Sequence, residues 1–371
     1  MYILVLNSGS STLKYSVVDT SSNRSLHQEV VEWTVAGSDN PPPLPDPGFA
    51  DSGPPIDAIA HRVVHGGPGP SGPAELTDAT IRAIEQAAAL APLHNDPALA
   101  VIHRAREYYP GLPQVAVFDT AFHQHLPEHA RRYAVPEHWF QQHGLRRYGF
   151  HGISHASVAR QAAATLQRPL EKLRLITLHL GNGASACAIA GGHSIDTSMG
   201  MTPLEGLVMG TRGGDLDIGA VLHVARREGP TLDQLEQALT RDSGLAGLCG
   251  DSDLRAILTR CEQGDSRAQL ALSIYCYRIR KYIGAYFAAL GGLDALVFTG
   301  GVGENAAPVR AGACEGLDAL GIAIDCHKNG LPSGDQPRAI HAGGAAVAVL
   351  VVPSREDLEI ARQTAEFLGQ R

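Results

Sequence analysis

Two arginines sit in settings that do not ask for charge. Arg62 interrupts the apolar run of HRVVHGG (61–67), and Arg212 lies in the glycine-rich MGTRGGD (209–215). A guanidinium presents five donors in a planar fork suited to carboxylates and phosphates. Asp119 in VFDTAFH follows a short apolar run, at the strand end where ligand sites of α/β proteins gather. His151 in YGFHGISH stands between Phe150 and Gly152. Structural roles compete at each position: a buried ion pair for Arg62, a solvated charge for Arg212, a cap for Asp119, a core histidine for His151. His151 and His155 have the i, i+4 spacing of a zinc pair. The glutamate of HExxH is missing and no third ligand is marked, so zinc is not expected. No Gly-x-Ser-x-Gly elbow supports a serine hydrolase.

Three small-residue turns supply the complementary chemistry. NSGSSTLK (7–14) lies between two apolar runs, with Asn7 at its start and Lys14 at its end; LHLGNGAS (178–185) repeats the pattern, and FTGGVGEN (298–305) opens a helix. Backbone N–H groups in such turns, and at a helix start, bind phosphate oxygens. NSGSSTLK is not a P-loop, because Lys14 leads into a strand and not a helix. The third turn also satisfies a dinucleotide fingerprint, through Gly301, Gly303, Ala306 and, about twenty residues on, Asp325. That alternative leaves the other two turns unused; three strand-to-glycine turns suit a nucleoside triphosphate better.

The elements that must position these residues follow from hydrophobic periodicity. Strands are expected at 2–6, 13–18, 26–35, 56–64, 115–118, 173–180, 184–190, 193–196, 296–298, 322–325 and 347–352. Helices are expected at about 77–89, 96–108, 154–166, 217–227, 231–241, 253–262, 266–290, 306–319 and 356–368. The proline-rich stretch 37–55 reads as a surface excursion. Strand clusters followed by helices occur twice, and LNSGSSTL (6–13) is answered by LGNGASAC (180–187), which suggests a duplicated α/β unit.

A chain of 371 residues predicts two domains. Its net charge of −8 argues against a nucleic-acid footprint and means that an anionic ligand needs locally gathered cations. Six irregularly spaced cysteines read as reduced thiols. No signal-peptide pattern and no apolar run long enough to span a bilayer are visible, so the expected location is the cytoplasm and no membrane contact is expected.

In order along the chain, LNSGSSTLKYSV, HRVVHGG, PLHN, VFDTAFHQ, RRYGFHGISH, HLGNGAS, DTSMGMTPLEGLVMGTR, FTGGVGEN and the C-terminal helix resemble the acetokinase family. The resemblance implies an α/β fold of two ribonuclease H-like domains, of the actin, sugar-kinase and heat-shock ATPase type, around a central cleft. It places the first domain at 1–122 plus 357–371, and the nucleotide-binding and dimerisation domain at 123–356. It implies a homodimer that transfers the γ-phosphoryl group of ATP directly to acetate. ATP and ADP are co-substrates, and Mg²⁺ is the cofactor, with Mn²⁺ able to substitute. Arg62, Asp119, His151 and Arg212 would be catalytic. Arg62, Val64, Leu93, Phe150 and Pro203 would bind the acyl substrate. Asn7, Lys14, His179, Gly181, Asn182, Gly183, Asp253, Leu254, Arg255, Gly301, Val302, Gly303 and Asn305 would bind nucleotide, and Asn7 and Glu356 would support the metal. Where the family shows Ser-Gly after the second arginine, this chain has Gly213-Gly214, and Arg355 precedes Glu356.

The chemistry fits that set. A carboxylate is already anionic at neutral pH, so an acyl kinase needs no strong base; its obstacle is repulsion between two anions, which guanidinium groups, a histidine and a metal offset. A propionate or short-chain acyl kinase is the near alternative, with Val64 limiting pocket depth. A nucleotide-driven binding ATPase of the same fold is a more distant one.

Overall fold

The computed structural model describes residues 1–9, 12–33, 44–45, 54–69 and 72–370; the side chains of Pro92 and Leu93 lie outside the described set. Much of the proline-rich excursion, together with Ser10 and Ser11, also lies outside it. The chain divides into two units: 1–124, 150–157 and 355–371 form the first, and 125–149 and 158–354 the second.

Unit 1 is built on β1 (Tyr2–Ser8), β2 (Thr12–Asp19), β3 (Arg24–Glu32), β4 (Ala58–Val63), β5 (Ala74–Glu75) and β6 (Gln114–Phe118). Their order in the sheet is β3-β2-β1-β4-β6-β5. The β1–β2–β3 meander is antiparallel, β1–β4 and β4–β6 are parallel, and β5 is antiparallel to β6. Parallel central strands must be covered on both faces, and the alternation of β1 provides for this. Ile3 and Val5 pack with Ile360 and Ala361 of the C-terminal helix Glu356–Gly369. Leu4 and Leu6 pack with Val101 and Ala105 of helix Pro92–Tyr108. Ile360 is fully buried, a burial that contributes about 1.5–3 kcal/mol.

Unit 2 repeats the plan. β7 (Arg174–Leu180), β8 (Ala184–Ala190), β9 (His193–Thr197), β10 (Ala295–Thr299), β11 (Arg338–Ala339) and β12 (Ala348–Val351) run β9-β8-β7-β10-β12-β11. The directions match pair for pair: β7–β8–β9 antiparallel, β7–β10–β12 parallel, β11 antiparallel to β12. The repeated topology is that of two ribonuclease H-like units. Among the described residues no helix is long and apolar enough to cross a membrane.

Three local expectations change. Residues 322–325 form no strand; Ile324 makes one isolated bridge to His341, and Asp325 caps a short helix, Cys326–Gly330, by accepting the Lys328 N–H. Asp325 is thereby occupied as a cap, a common role for aspartate. The helix expected over 306–319 stops at Cys314, because Glu315 leaves helical geometry and Gly316 turns left-handed. The polar turn at 7–14 is tighter than its composition suggests: Asn7 and Ser8 still belong to β1, paired with Lys14 and Leu13, and the Gly9 N–H closes onto the Thr12 carbonyl.

Candidate active site

In unit 1 the parallel register of β1, β4 and β6 gathers residues far apart in sequence. Leu6 lies opposite His61 and Val63 opposite Phe118, so Asn7, Arg62 and Asp119 emerge at the same strand ends. Arg62 donates from Nη2 to Asp119 Oδ2 at 2.7 Å and from Nε to Oδ1 at 3.3 Å, a two-pronged ion pair. Its Nη1 donates to Asn7 Oδ1 at 3.1 Å and stands 3.8 Å from Glu356 Oε2. Glu356 opens the C-terminal helix, where the positive end of the helix dipole favours a carboxylate.

Burial acts on this set in opposite senses. It raises the Asp119 carboxyl above its usual range, against the pull of Arg62. Burial alone would lower the Arg62 pKa, but Asp119 and Glu356 raise it instead, so Arg62 stays charged. One cation facing two carboxylates leaves the ionised set with a net charge of −1.

Val64 and Phe150 are nearly closed to solvent, and the ring of buried His65 stands edge-on to Phe150 at 5.4 Å. Asn95, also buried, accepts the His65 N–H at 3.0 Å and donates to the His65 carbonyl at 2.9 Å, which fixes the chain just after Val64. The Leu93 side chain lies outside the described residues. His151 takes a left-handed φ of 56°, uncommon without glycine. The backbone on either side holds it there: His123 Nε2 is 3.0 Å from the Phe150 carbonyl, and the Gly152 N–H donates to the Asp119 carbonyl. Lys14 is exposed on β2 opposite Asn7.

In unit 2 the second and third turns are neighbours, because β7 and β10 pair in parallel up to His179 and Thr299. The Gly181–Asn182–Gly183 turn closes with Gly181 N–H donating to the Gly183 carbonyl at 3.0 Å. FTGGVGEN is not an open loop before a helix; Gly300–Asn305 is itself helical, with Gly300 at φ 76°. A side chain at Gly300 would come within 2.7 Å of the Leu180 carbonyl, so glycine permits the close approach of the two turns. Asn305 Nδ2 donates to the Gly301 carbonyl, and Gly301 has open space at its Cβ position. Val302 is half-buried and Gly303 buried. Beneath them, Arg310 is 1% exposed and donates to the carbonyls of Gly303 and Glu304 and to Asn329. An arginine on an otherwise apolar helix face, VRAGAC, was the available sequence signal for it.

Asp253 caps helix Leu254–Glu262 and pairs with exposed Arg255 at 2.8 Å, while Leu254 is buried. Asp253 and Arg255 engage each other. Arg212 joins the second turn through its own loop, since the Gly210 N–H donates to the Asn182 carbonyl at 2.9 Å. Its side chain is half-buried, and Nη1 donates to the Pro203 carbonyl at 2.8 Å. Among the described residues it has no carboxylate partner. Burial lowers its pKa to about 10, which still leaves it charged at neutral pH. The two arginines thus differ: Arg62 is matched by acids, and Arg212 is a cation without an anion.

Among the described residues no group of three or more His, Cys, Asp or Glu could hold a metal on its own. The oxygen set of Asn7, Asp119 and Glu356 around Arg62 nevertheless suits Mg²⁺, which binds through one or two carboxylates plus substrate phosphates. Its net negative charge calls for a cation before an anionic substrate approaches.

Residues 48–362 match the model of the acetokinase family. An acetate kinase of Streptomyces griseus is 47% identical over 100% of this chain and 97% of its own length. An acetate kinase of Sulfurovum is 51% identical over 83% of this chain and 78% of its own. Among solved structures, Porphyromonas gingivalis acetate kinase superposes with a TM-score of 0.88 at 38% identity, covering 99% of both chains. A propionate kinase of Francisella tularensis superposes at 0.87 and 37% identity, covering 98% of both. Match and topology agree over nearly the full length, and the chain belongs to the acetokinase family.

Proposed function

We propose that this protein is an acetate kinase: it moves the γ-phosphoryl group of ATP to acetate, giving acetyl phosphate and ADP, and runs in both directions. The observation that carries this is Arg212, a half-buried guanidinium held by one main-chain carbonyl and left without an acid among the described residues. A cation kept in that state is ready for an anionic substrate.

An acetate oxygen attacks the γ-phosphorus in line. The bond to the β–γ bridging oxygen breaks, and its electron pair leaves with ADP. No proton has to be removed from the nucleophile, so orientation and charge do the catalysis. Arg212 and His151 stabilise the equatorial oxygens of the transferring group. Arg62 orients the carboxylate, and Asp119 keeps Arg62 in place. The glycine turns at 181–183 and 300–305 hold the phosphates and ribose with backbone N–H groups. Asn7, Asp119 and Glu356 would hold Mg²⁺, which supplies neutralising charge on the phosphate oxygens when bound. Val64 and Phe150 supply the apolar surface of unit 1 for the methyl group. Removing one charge-stabilising donor should cost about 10²–10⁵ in rate.

The likeness to a propionate kinase favours some activity on the next longer acid, since one methylene is worth only about 1–3 kcal/mol. The test is hydroxylamine trapping of acyl phosphate from MgATP with acetate, propionate and butyrate in turn. No trapped product at saturating acetate rejects the proposal; slow ATP hydrolysis indifferent to acetate would indicate a binding ATPase. The assembly is a homodimer through helices Ile218–Glu228 and Leu232–Thr240, on which Ile218, Leu222 and Leu232 are exposed.

A further inference from the structure

Arg212 is oriented through Pro203, so whatever holds Pro203 also aims Arg212. The loop that carries both residues is wrapped around one polar cluster. Arg147 Nη1 donates to the carbonyls of Thr197, Ser198 and Met199 at 3.0, 3.2 and 3.1 Å. Its Nη2 donates to Glu205 Oε1 at 2.6 Å. The Tyr133 hydroxyl donates to the other oxygen of Glu205 and accepts the Met201 N–H at 3.0 Å. One guanidinium, one carboxylate and one phenol therefore fix the backbone immediately before Pro203 and the side chain two residues after it.

The packing leaves little slack. A side chain at Gly200 would come within 2.0 Å of Glu205 Oε2 and 2.1 Å of the Tyr133 oxygen. The far end of the loop is latched separately: Asp215 accepts the Gly206 N–H at 2.9 Å and the Tyr282 hydroxyl. The cluster lies within unit 2. Arg147 and Glu205 are 15% and 31% exposed, and partly buried ion pairs of this kind contribute little net stability, so such pairs are poorly explained as stabilisers. Their best-supported use is to specify one arrangement, and here the arrangement specified is the Pro203 carbonyl facing Arg212.

We propose that Glu205, Arg147 and Tyr133 are positioning residues for phosphoryl transfer, holding the Pro203 carbonyl so that it aims the Arg212 guanidinium. The inference rests on the acetate kinase function proposed above. It separates this cluster from groups that only support the fold, because its effect must pass through Arg212.

The test is a double-mutant cycle in the hydroxylamine assay. Glu205→Ala should lower kcat at least tenfold and change the KM for ATP less than twofold. Combined with Arg212→Lys, which has already lost the fork that the Pro203 carbonyl holds, Glu205→Ala should cost less than a further twofold. Glu205→Gln, which keeps a hydrogen-bonding side chain of the same shape, should recover part of the rate. An equal loss in both backgrounds would overturn the inference. If Glu205→Ala does not fold, Tyr133→Phe runs through the same cycle with the same criterion. Wild-type enzyme that traps no hydroxamate overturns the function and this inference together; wild-type turnover with an additive cycle overturns the inference alone.

Discussion

The main-chain carbonyl of Asp119 accepts the N–H of Gly152 at 2.8 Å, while the Asp119 carboxylate holds Arg62 at 2.7 Å. One residue thus sets the position of a cation through its side chain and the backbone beside His151 through its carbonyl. Unit 1 locates both groups from the end of β6.

Gly152 is the vulnerable point of that link. A Cβ there would lie 2.2 Å from the Asp119 carbonyl oxygen and 2.9 Å from Cβ of Phe122. Gly152→Ala should therefore displace His151, lower kcat at least tenfold and cost about 1–3 kcal/mol of stability through overpacking. Steady-state kinetics and urea unfolding on the same preparation check both halves.

The two arginines should separate in stability although both are needed for turnover. Arg62→Ala strands the buried carboxylate of Asp119 and should cost about 3–5 kcal/mol. Arg212→Ala removes a half-buried charge held by one carbonyl, so the melting temperature should stay level or rise while the rate falls by about 10²–10⁵. Equal melting losses in the two variants would contradict the difference in their partners.

Acid should weaken unit 1 through His61. Burial lowers its pKa from the usual 6.5 to about 4, against the hydrogen bond to Gln114. Below pH 6.5 the unfolded chain takes up a proton that folded His61 accepts only near pH 4. Stability is therefore lost as pH falls through that window, by at most about 3 kcal/mol. His61→Gln, which cannot ionise, should flatten the dependence of the urea midpoint on pH between 6.5 and 4.

Oligomeric state should depend on the exposed apolar positions of unit 2. Leu232 is 83% and Ile218 72% exposed, and Leu222 and Val224 are exposed on the same helix as Ile218. A Leu232→Glu, Ile218→Glu double variant should sediment as a monomer. Sedimentation as a dimer would place the interface elsewhere.

Acyl-chain preference should respond to Val64, which is 6% exposed at the end of β4. Val64→Ala should raise kcat/KM for propionate relative to acetate by about tenfold or more, the scale of one methylene in an apolar pocket. An unchanged ratio would remove Val64 from the substrate pocket.

Most elements were legible because their signals are local. The apolar, β-branched runs of β1 and β2, the cap Thr77 before helix Asp78–Ala87 and the cap Asp265 before the long helix Ser266–Leu290 need only neighbours in sequence. Errors arose where weak patterns met stronger local chemistry. At 322–325 the capping preference of Asp325 prevailed over a short apolar run, and at 315–316 a glycine in left-handed geometry ended a helix. The duplication was visible as two similar turns, and the identical strand orders of the two sheets account for it.

Sequence by itself determined the α/β class, the glycine turns and the residue types that an anion-to-anion transfer requires, because each is written in short windows of chain. It could not tell the matched arginine from the unmatched one. That distinction depends on Asp119 lying 57 positions from Arg62, and on Glu205 and Arg147, 58 positions apart, meeting around the loop of Pro203. Charge neutralisation acts through space over a few ångströms, and only the folded chain decides which groups come that close.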